Sequence, residues 1–168
     1  MSGAPLALRA AGPDDAATVS ALLRAAAEEL TRRFGRGRWS FAASERAVRS
    51  ALATPASYLA WRDGDAVATL RLSPRRPWAI VVSRFSAAAR PLYLTDMAVR
   101  PDAQLTGVGR RALELAAEEA RRWPADALRL DAYDAPAGAG EFYRRCGWRD
   151  VGSAAYRGQP LLYFELRL

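Results

Sequence analysis

The sequence predicts an α/β fold of the α+β kind: a mixed, mostly antiparallel sheet of about six to seven strands with helices on both faces. Three observations carry that expectation. The elements come in the order strand, two helices, two strands, then strand–helix–strand–helix, then two closing strands, which suits such a sheet. Hydrophobic residues make up 51% of the 168 residues, enough for one compact domain spanning 1–168 with a real core. Apolar residues also change spacing along the chain, alternating in some stretches and lining one helical face in others.

Residues 6–11 alternate apolar and polar, as a first strand does. Pro13-Asp14-Asp15 caps a helix expected to run to about Arg33, with Val19, Leu22, Leu23, Ala26 and Leu30 on one face. Gly35 and Gly37 break it, and a second helix starts near Ser44, ahead of Val48, Ala51 and Leu52. Residues 58–62 and 66–72 flank Asp63-Gly64-Asp65 and read as a hairpin with a tight turn. Residues 73–90 form a long connection around Trp78-Ala79-Ile80-Val81-Val82, legible as a lid or as a short extra strand. An extended run covers 91–101, an amphipathic helix about 107–122, a strand 127–132 and a short helix about 136–145. Two strands, about 148–156 and 161–168, close the chain around Arg157-Gly158-Gln159-Pro160.

The most informative stretch is Gln104-Leu105-Thr106-Gly107-Val108-Gly109, between the extended run and the amphipathic helix. Glycine lets backbone N–H groups approach a ligand without Cβ interference. A helix start adds unpaired donors and the positive end of the macrodipole. Strand, glycine turn and helix together make a phosphate cradle. Gly107-Val108-Gly109-Arg110-Arg111-Ala112 formally fits the dinucleotide fingerprint, and Asp131 lies roughly 20 residues on, where a ribose-binding acid belongs. Against that reading, about seven residues separate the strand end at Val99 from Gly107, whereas a dinucleotide turn begins at the strand end. Too little chain follows for the remaining βα units, and no βα ladder precedes it.

Gln104-x-x-Gly107-x-Gly109 resembles the acyl-CoA pyrophosphate loop of the GNAT (N-acetyltransferase) superfamily. Leu94-Thr95-Asp96-Met97-Ala98-Val99-Arg100-Pro101 looks like the strand that family places before the loop. Leu128-Arg129-Leu130-Asp131-Ala132 resembles its next strand, and Ala139-x-x-Phe142-Tyr143-x-x-x-Gly147-Trp148 its Ala-x-x-Phe-Tyr block. One departure stands out: Pro136 occupies the position where the family usually has an Asn that helps hold the pantetheine arm.

The resemblance implies a GNAT-like fold in which the fourth and fifth strands splay to form a cleft for CoA. It implies acetyl-CoA as cosubstrate, no metal, and direct attack by a primary amine on the thioester in a ternary complex. The backbone of Met97, Ala98 and Val99 would then serve the pantetheine arm, with Gln104, Leu105, Thr106, Gly107, Val108, Gly109 and Arg110 around the pyrophosphate. Tyr143 stands where the family places the acid for the leaving thiolate, with pure packing or a sulfur contact as the other readings. For the general base the chain offers no histidine. Asp96 lies one position after the family's usual Glu, where this chain has Thr95, and strand alternation would put the two on opposite faces. Glu28 and Glu29 are candidates to bind an amine, or simply solvated helix charges. Residues 31–41, 73–90 and the turn near Tyr156 are expected around the acceptor, with Trp39, Phe41 and Trp78 either lining a pocket or packing. The acceptor is a small amine or a protein or peptide amino group; a non-catalytic acyl-CoA-binding sensor is the alternative.

Composition narrows the partners. The net charge is +7, and every basic residue is arginine. The arginines are dispersed, so genome bias and steering of an anionic cofactor explain them better than a nucleic-acid partner, although an RNA-directed member acting on charged tRNA would share that charge. The chain lacks an apolar run of the roughly 18 residues a membrane span needs. Its first residues lack the pattern of a signal peptide. The single cysteine, Cys146, suits a reducing cytoplasm and reads as buried filler. A homodimer stays open.

Overall fold

The structure, a computed structural model, describes residues 5–54 and 56–168; the signal-peptide reading, made on residues 1–5, lies outside them except for Pro5. Seven strands form one mixed sheet in the order β1-β2-β3-β4-β5-β7-β6. They are β1 (Ala7–Ala10), β2 (Ser57–Arg62), β3 (Asp65–Ser73), β4 (Pro91–Val99), β5 (Ala127–Tyr133), β6 (Arg149–Tyr156) and β7 (Gln159–Arg167). The helices are α1 (Ala16–Phe34), α2 (Glu45–Leu52), α3 (Val108–Arg122) and α4 (Gly140–Arg145). The chain divides into two compact units, residues 1–71 with 95–116 and residues 72–94 with 117–168.

In the first unit, β1 pairs antiparallel with β2, and β2 with β3. Alternation sends Leu59 and Ala60 of β2 to opposite faces. Leu59 packs with Val19 and Leu22 of α1 and Val48 and Leu52 of α2. Ala60 packs with Ala68, Ala103 and Val108, the first residue of α3. Helices therefore cover both faces of these strands. Ser44 caps α2, its hydroxyl accepting from the Ala47 N–H at 3.3 Å, a bond of the kind that contributes about 1 kcal/mol. The hairpin turn is tighter than the sequence suggested: only Asp63 and Gly64 lie between the strands, with φ of 53° and 85°. Two positive φ values match the right-handed twist of the flanking strands.

In the second unit, β4 pairs parallel with β5 from Pro91 to Tyr93. β5 pairs antiparallel with β7, and β7 with β6. The β6–β7 turn repeats the first hairpin, with Arg157 and Gly158 at φ 49° and 77°. The extra-strand reading of residues 73–90 is corrected here. Beyond Ser73, the last residue of β3, that segment holds one 3-10 turn, Val82–Arg84, and no strand of its own. Several of its backbone groups go to side chains of other elements. Tyr163 donates its hydroxyl to the Ala79 carbonyl and accepts from the Val81 N–H at 3.3 Å. Asp126 accepts from the N–H groups of Ala89 at 2.6 Å and Arg90 at 3.0 Å. Ile80 is 1% exposed, whereas Trp78 is 78% exposed, so the packing alternative for Trp78 fails.

A buried pair anchors the same segment. Arg129 donates to Glu165 at 3.1 Å and to the Ser86 carbonyl at 2.6 Å, and the Ser86 hydroxyl donates to Glu165 at 2.5 Å. The Arg129 guanidinium also lies 4.9 Å from the Phe85 ring centroid. Burial pushes the Glu165 carboxyl up, but the Ser86 hydroxyl and the Arg129 and Arg149 guanidiniums outweigh it and hold the group below its ordinary value. The short helix also differs from expectation, starting at Gly140 rather than Pro136. The Gly138 N–H donates to Ala135 O at 2.8 Å, and a Cβ on Gly138 would sit 1.8 Å from Tyr133 O. That turn is too tight for a helix to begin before it, so Pro136 lies in the turn.

Candidate active site

The loop after β4 is assembled within the first unit by one backbone tie to β3 and by short-range ties. The Arg100 N–H donates to Val67 O at 2.8 Å, holding the end of β4 beside β3. A 3-10 turn follows at Pro101–Ala103, and Ala103 is buried against Val108. Gln104 turns its side-chain amide back to Val99 O at 3.1 Å, and Thr106 donates its hydroxyl to Ala103 O at 2.7 Å. Leu105 has φ 61° and is fully exposed; Gly107 has φ 86°. A Cβ on Gly107 would meet nothing within 4 Å, so space is open on that side. α3 then begins at Val108, and Arg111 makes the helical bond back to Gly107 O at 3.0 Å. Geometry leaves the first amides of any helix without intrahelical partners.

Charge around this loop is unevenly matched. Arg100 donates to Asp102 at 2.6 Å and lies 3.6 Å from Asp65. The hydrogen bond to Asp102 is the main reason its guanidinium is held above its ordinary value, and the same bond lowers the Asp102 carboxyl. Arg111 pairs with Glu114 at 2.9 Å. Of the expected cofactor residues, Met97, Ala98, Val99 and Gln104 through Arg110 all fall in this unit.

Strand alternation does not decide the Thr95–Asp96 question. Asp96 has φ 51°, a left-handed conformation that interrupts the period of two, and its side chain is exposed. The expected opposition of residues 95 and 96 thus rested on a regular strand that β4 does not keep here. Glu29 is committed to Arg32, which it meets at 2.7 Å and which lowers its carboxyl. Trp39 folds over its own loop, donating its indole N–H to Gly35 O at 3.0 Å, while Phe41 is 83% exposed.

Tyr143 belongs to the second unit, on α4. It is 7% exposed, with its ring centroid 5.3 Å from Phe142, 5.6 Å from Phe164 and 5.8 Å from Trp148. Burial chiefly, then the charges of Asp131 and Cys146, raises the phenol well above its ordinary value. Asp131 is itself pushed up by burial. Gly147, at φ 84°, ends the helix and lets the Trp148 N–H return to Tyr143 O at 3.0 Å. A Cβ on Gly140 would approach Leu162 Cδ1 to 2.9 Å, so that side chain would have to shift. Sequence reasoning missed Arg62, whose guanidinium reaches Thr106 Oγ1 at 3.4 Å. Its only sequence signal was its place at the end of a hairpin strand.

Among the described residues no group of three or more His, Cys, Asp or Glu is gathered as for a metal, and no helix is long and apolar enough to cross a membrane. Residues 20–148 match the acetyltransferase (GNAT) family. No curated protein matches the chain. Among solved structures, a GNAT-family acetyltransferase from Listeria monocytogenes 4b F2365 superposes with a TM-score of 0.74 at 14% identity, over 100% of this chain and 99% of that one. An aminoglycoside acetyltransferase in complex with coenzyme A gives 0.75 at 15% identity, over 97% and 95%. A ribosomal-protein-alanine N-acetyltransferase from Brucella melitensis gives 0.69 at 20% identity, over 96% and 99%. At such identities the likeness is one of fold.

Proposed function

The chain belongs to the acetyltransferase (GNAT) family, and on that premise we propose that it is an N-acetyltransferase, using acetyl-CoA to acetylate a primary amine by direct attack in a ternary complex. Residues 1–168 act as one acetyltransferase domain, and the single cysteine suits a cytoplasmic setting. The observation that carries the reading is the loop itself. A left-handed Gly107 with open space in place of a Cβ, directly before the start of α3, fits an anion such as a pyrophosphate. A neighbour of the same fold is described with coenzyme A, which supports that choice of anion.

Bound acetyl-CoA supplies a thioester, an acyl group on a good leaving thiolate. The chain's residues supply the rest. Backbone N–H groups from Leu105 to Arg110 hold the pyrophosphate, and backbone groups of Met97, Ala98 and Val99 align the pantetheine arm. Pro136 offers no side-chain donor to that arm, which leaves more of the task to the backbone of β4. Tyr143 donates its hydroxyl towards the leaving sulfur. With its pKa raised, the phenol stays protonated at neutral pH. It is then a weaker acid than a thiol of pKa about 8.5, so its contribution is a stabilising hydrogen bond rather than complete proton transfer.

The neighbours carry names for different acceptors, a ribosomal protein and an aminoglycoside, so the fold does not choose between protein and small-molecule amines. A second reading, an acyl-CoA sensor without turnover, draws support from Pro136 and the absence of histidine. Thermal unfolding with acetyl-CoA, CoA and NAD, followed by thiol release across an amine panel, separates the readings. Acetyl-CoA and CoA are expected to raise the melting temperature by a few degrees, and NAD to leave it unchanged. Tyr143→Phe is expected to lower kcat by about tenfold or more with little change in acetyl-CoA affinity. Binding without turnover of any amine, and no effect of Tyr143→Phe, would favour the sensor.

A further inference from the structure

Within the loop and the start of α3, Arg110 is a cation, and its neighbours are neutral or matched by carboxylates. Gln104, the first residue of the motif, is neutral, and its amide is turned inward to Val99 O. Arg100 is matched by Asp102 and Asp65, and Arg111 by Glu114. Arg62 differs. It ends β2, outside the motif, and its Nη1 donates to Thr106 Oγ1 at 3.4 Å across 44 residues of chain. Among the described residues, its guanidinium has that neutral hydroxyl as its polar partner and no carboxylate. The Thr106 oxygen is free to accept because its own proton goes to Ala103 O. The register of β2 also shifts between Ala60 and Trp61, immediately before Arg62. Such irregularities re-aim the side chains at a strand end.

A guanidinium carries five N–H donors in a planar fork that matches phosphate oxygens. One donor holds Arg62 against the loop, and the others remain for a ligand. We propose that Arg62 is a phosphate-binding residue of this site, supplying a cation from outside the loop motif in addition to Arg110. The proposal rests on the coenzyme A reading above. The shared chemistry is a phosphate, and coenzyme A presents it in two places, the pyrophosphate and the ribose 3′-phosphate.

The test is the dissociation constant of CoA and of 3′-dephospho-CoA for the full chain and for Arg62→Ala, Arg62→Gln and Arg62→Lys, over a range of salt. Arg62→Ala and Arg62→Gln are expected to weaken CoA about tenfold and to flatten the salt dependence, while Arg62→Lys retains most of the affinity. Loss of affinity for CoA but not for the dephospho form assigns Arg62 to the 3′-phosphate; equal loss for both assigns it to the pyrophosphate. Gln can still donate to Thr106, so full affinity in Arg62→Gln would reduce Arg62 to a residue that positions the loop and would overturn the proposal. Unchanged affinity in Arg62→Ala, with the parent chain binding CoA, would overturn the proposal and leave the acetyltransferase reading intact. A folded parent chain that binds neither compound would overturn both.

Discussion

Two irregular segments of this chain are held in opposite ways. The loop at residues 104–109 is fixed mainly by ties that span five residues or fewer, Gln104 to Val99 and Thr106 to Ala103, and by left-handed backbone at Leu105 and Gly107, with Arg62 reaching it from farther along the chain. The connection at residues 73–90 is fixed by side chains far along the sequence: Tyr163 holds Ala79 and Val81, Glu165 and Arg129 hold Ser86, and Asp126 holds Ala89 and Arg90. The first is a local conformation with a sequence signature. The second is a clamp whose strength lies in buried polar groups. The difference says where each should break.

The clamp should break hardest at Glu165. Removing its carboxylate leaves Arg129, 3% exposed, as an unpaired buried charge. Glu165→Ala is expected to cost about 3 kcal/mol, or roughly 6–12 °C in melting temperature for a chain of this size. The pH dependence sharpens the test. Because the folded-state pKa of Glu165 is depressed, its stabilisation is present above the unfolded value of about 4.3 and is lost as pH falls through the folded value. The gap between parent and variant should therefore narrow in acid, below about pH 4. A gap that stays constant to low pH would mean that packing, not charge, sets the cost.

Tyr163→Phe should cost less, about 2 kcal/mol, since it leaves the Ala79 carbonyl without its donor while keeping the ring contact with Phe85. Its effect should be local. Trypsin would cut more readily after Arg75 or Arg84, exposed arginines of the connection that are not followed by proline, with little change in the rest of the cleavage pattern. Uniform acceleration of cleavage would instead show that the clamp and the remainder of its unit open together.

The same contrast explains what could be read in advance. Gly107, Gly147 and the Asp63-Gly64 turn were legible because left-handed backbone selects glycine or a short polar residue. Leu105 was not, since nothing about leucine announces a φ of 61°. Asp96 escaped for a related reason: one left-handed residue inside β4 cancels the alternation on which strand reading depends. In 73–90, Ile80 and Trp78 are both apolar, and only distant residues, Tyr93, Leu161 and Tyr163, decide which of them is covered. The same limit hid Arg62, whose relation to Thr106 is set by the register of a hairpin rather than by any motif. The expected cofactor residues near the loop form a contiguous motif; Tyr143 belongs to a spaced pattern, and it packs against Phe164 of a strand further on.

The smallest expected effect on stability is the most informative about the loop. Gly107 has φ 86° and open space at its Cβ position, so Gly107→Ala should introduce backbone strain without a clash, about 1–2 kcal/mol. Gly158, with φ 77° and equally open surroundings in the β6–β7 turn, provides a strain-matched partner. The two variants should lose similar stability in thermal unfolding. They should part in coenzyme A binding. Alanine at 107 relieves its strain by rotating towards negative φ, which turns the neighbouring amides away from an anion, whereas alanine at 158 alters a hairpin turn that presents no phosphate site. Weaker CoA binding in Gly107→Ala alone would tie the left-handed conformation to the anion. Equal affinity in both variants would show that the start of α3, rather than the glycine turn before it, holds the phosphates.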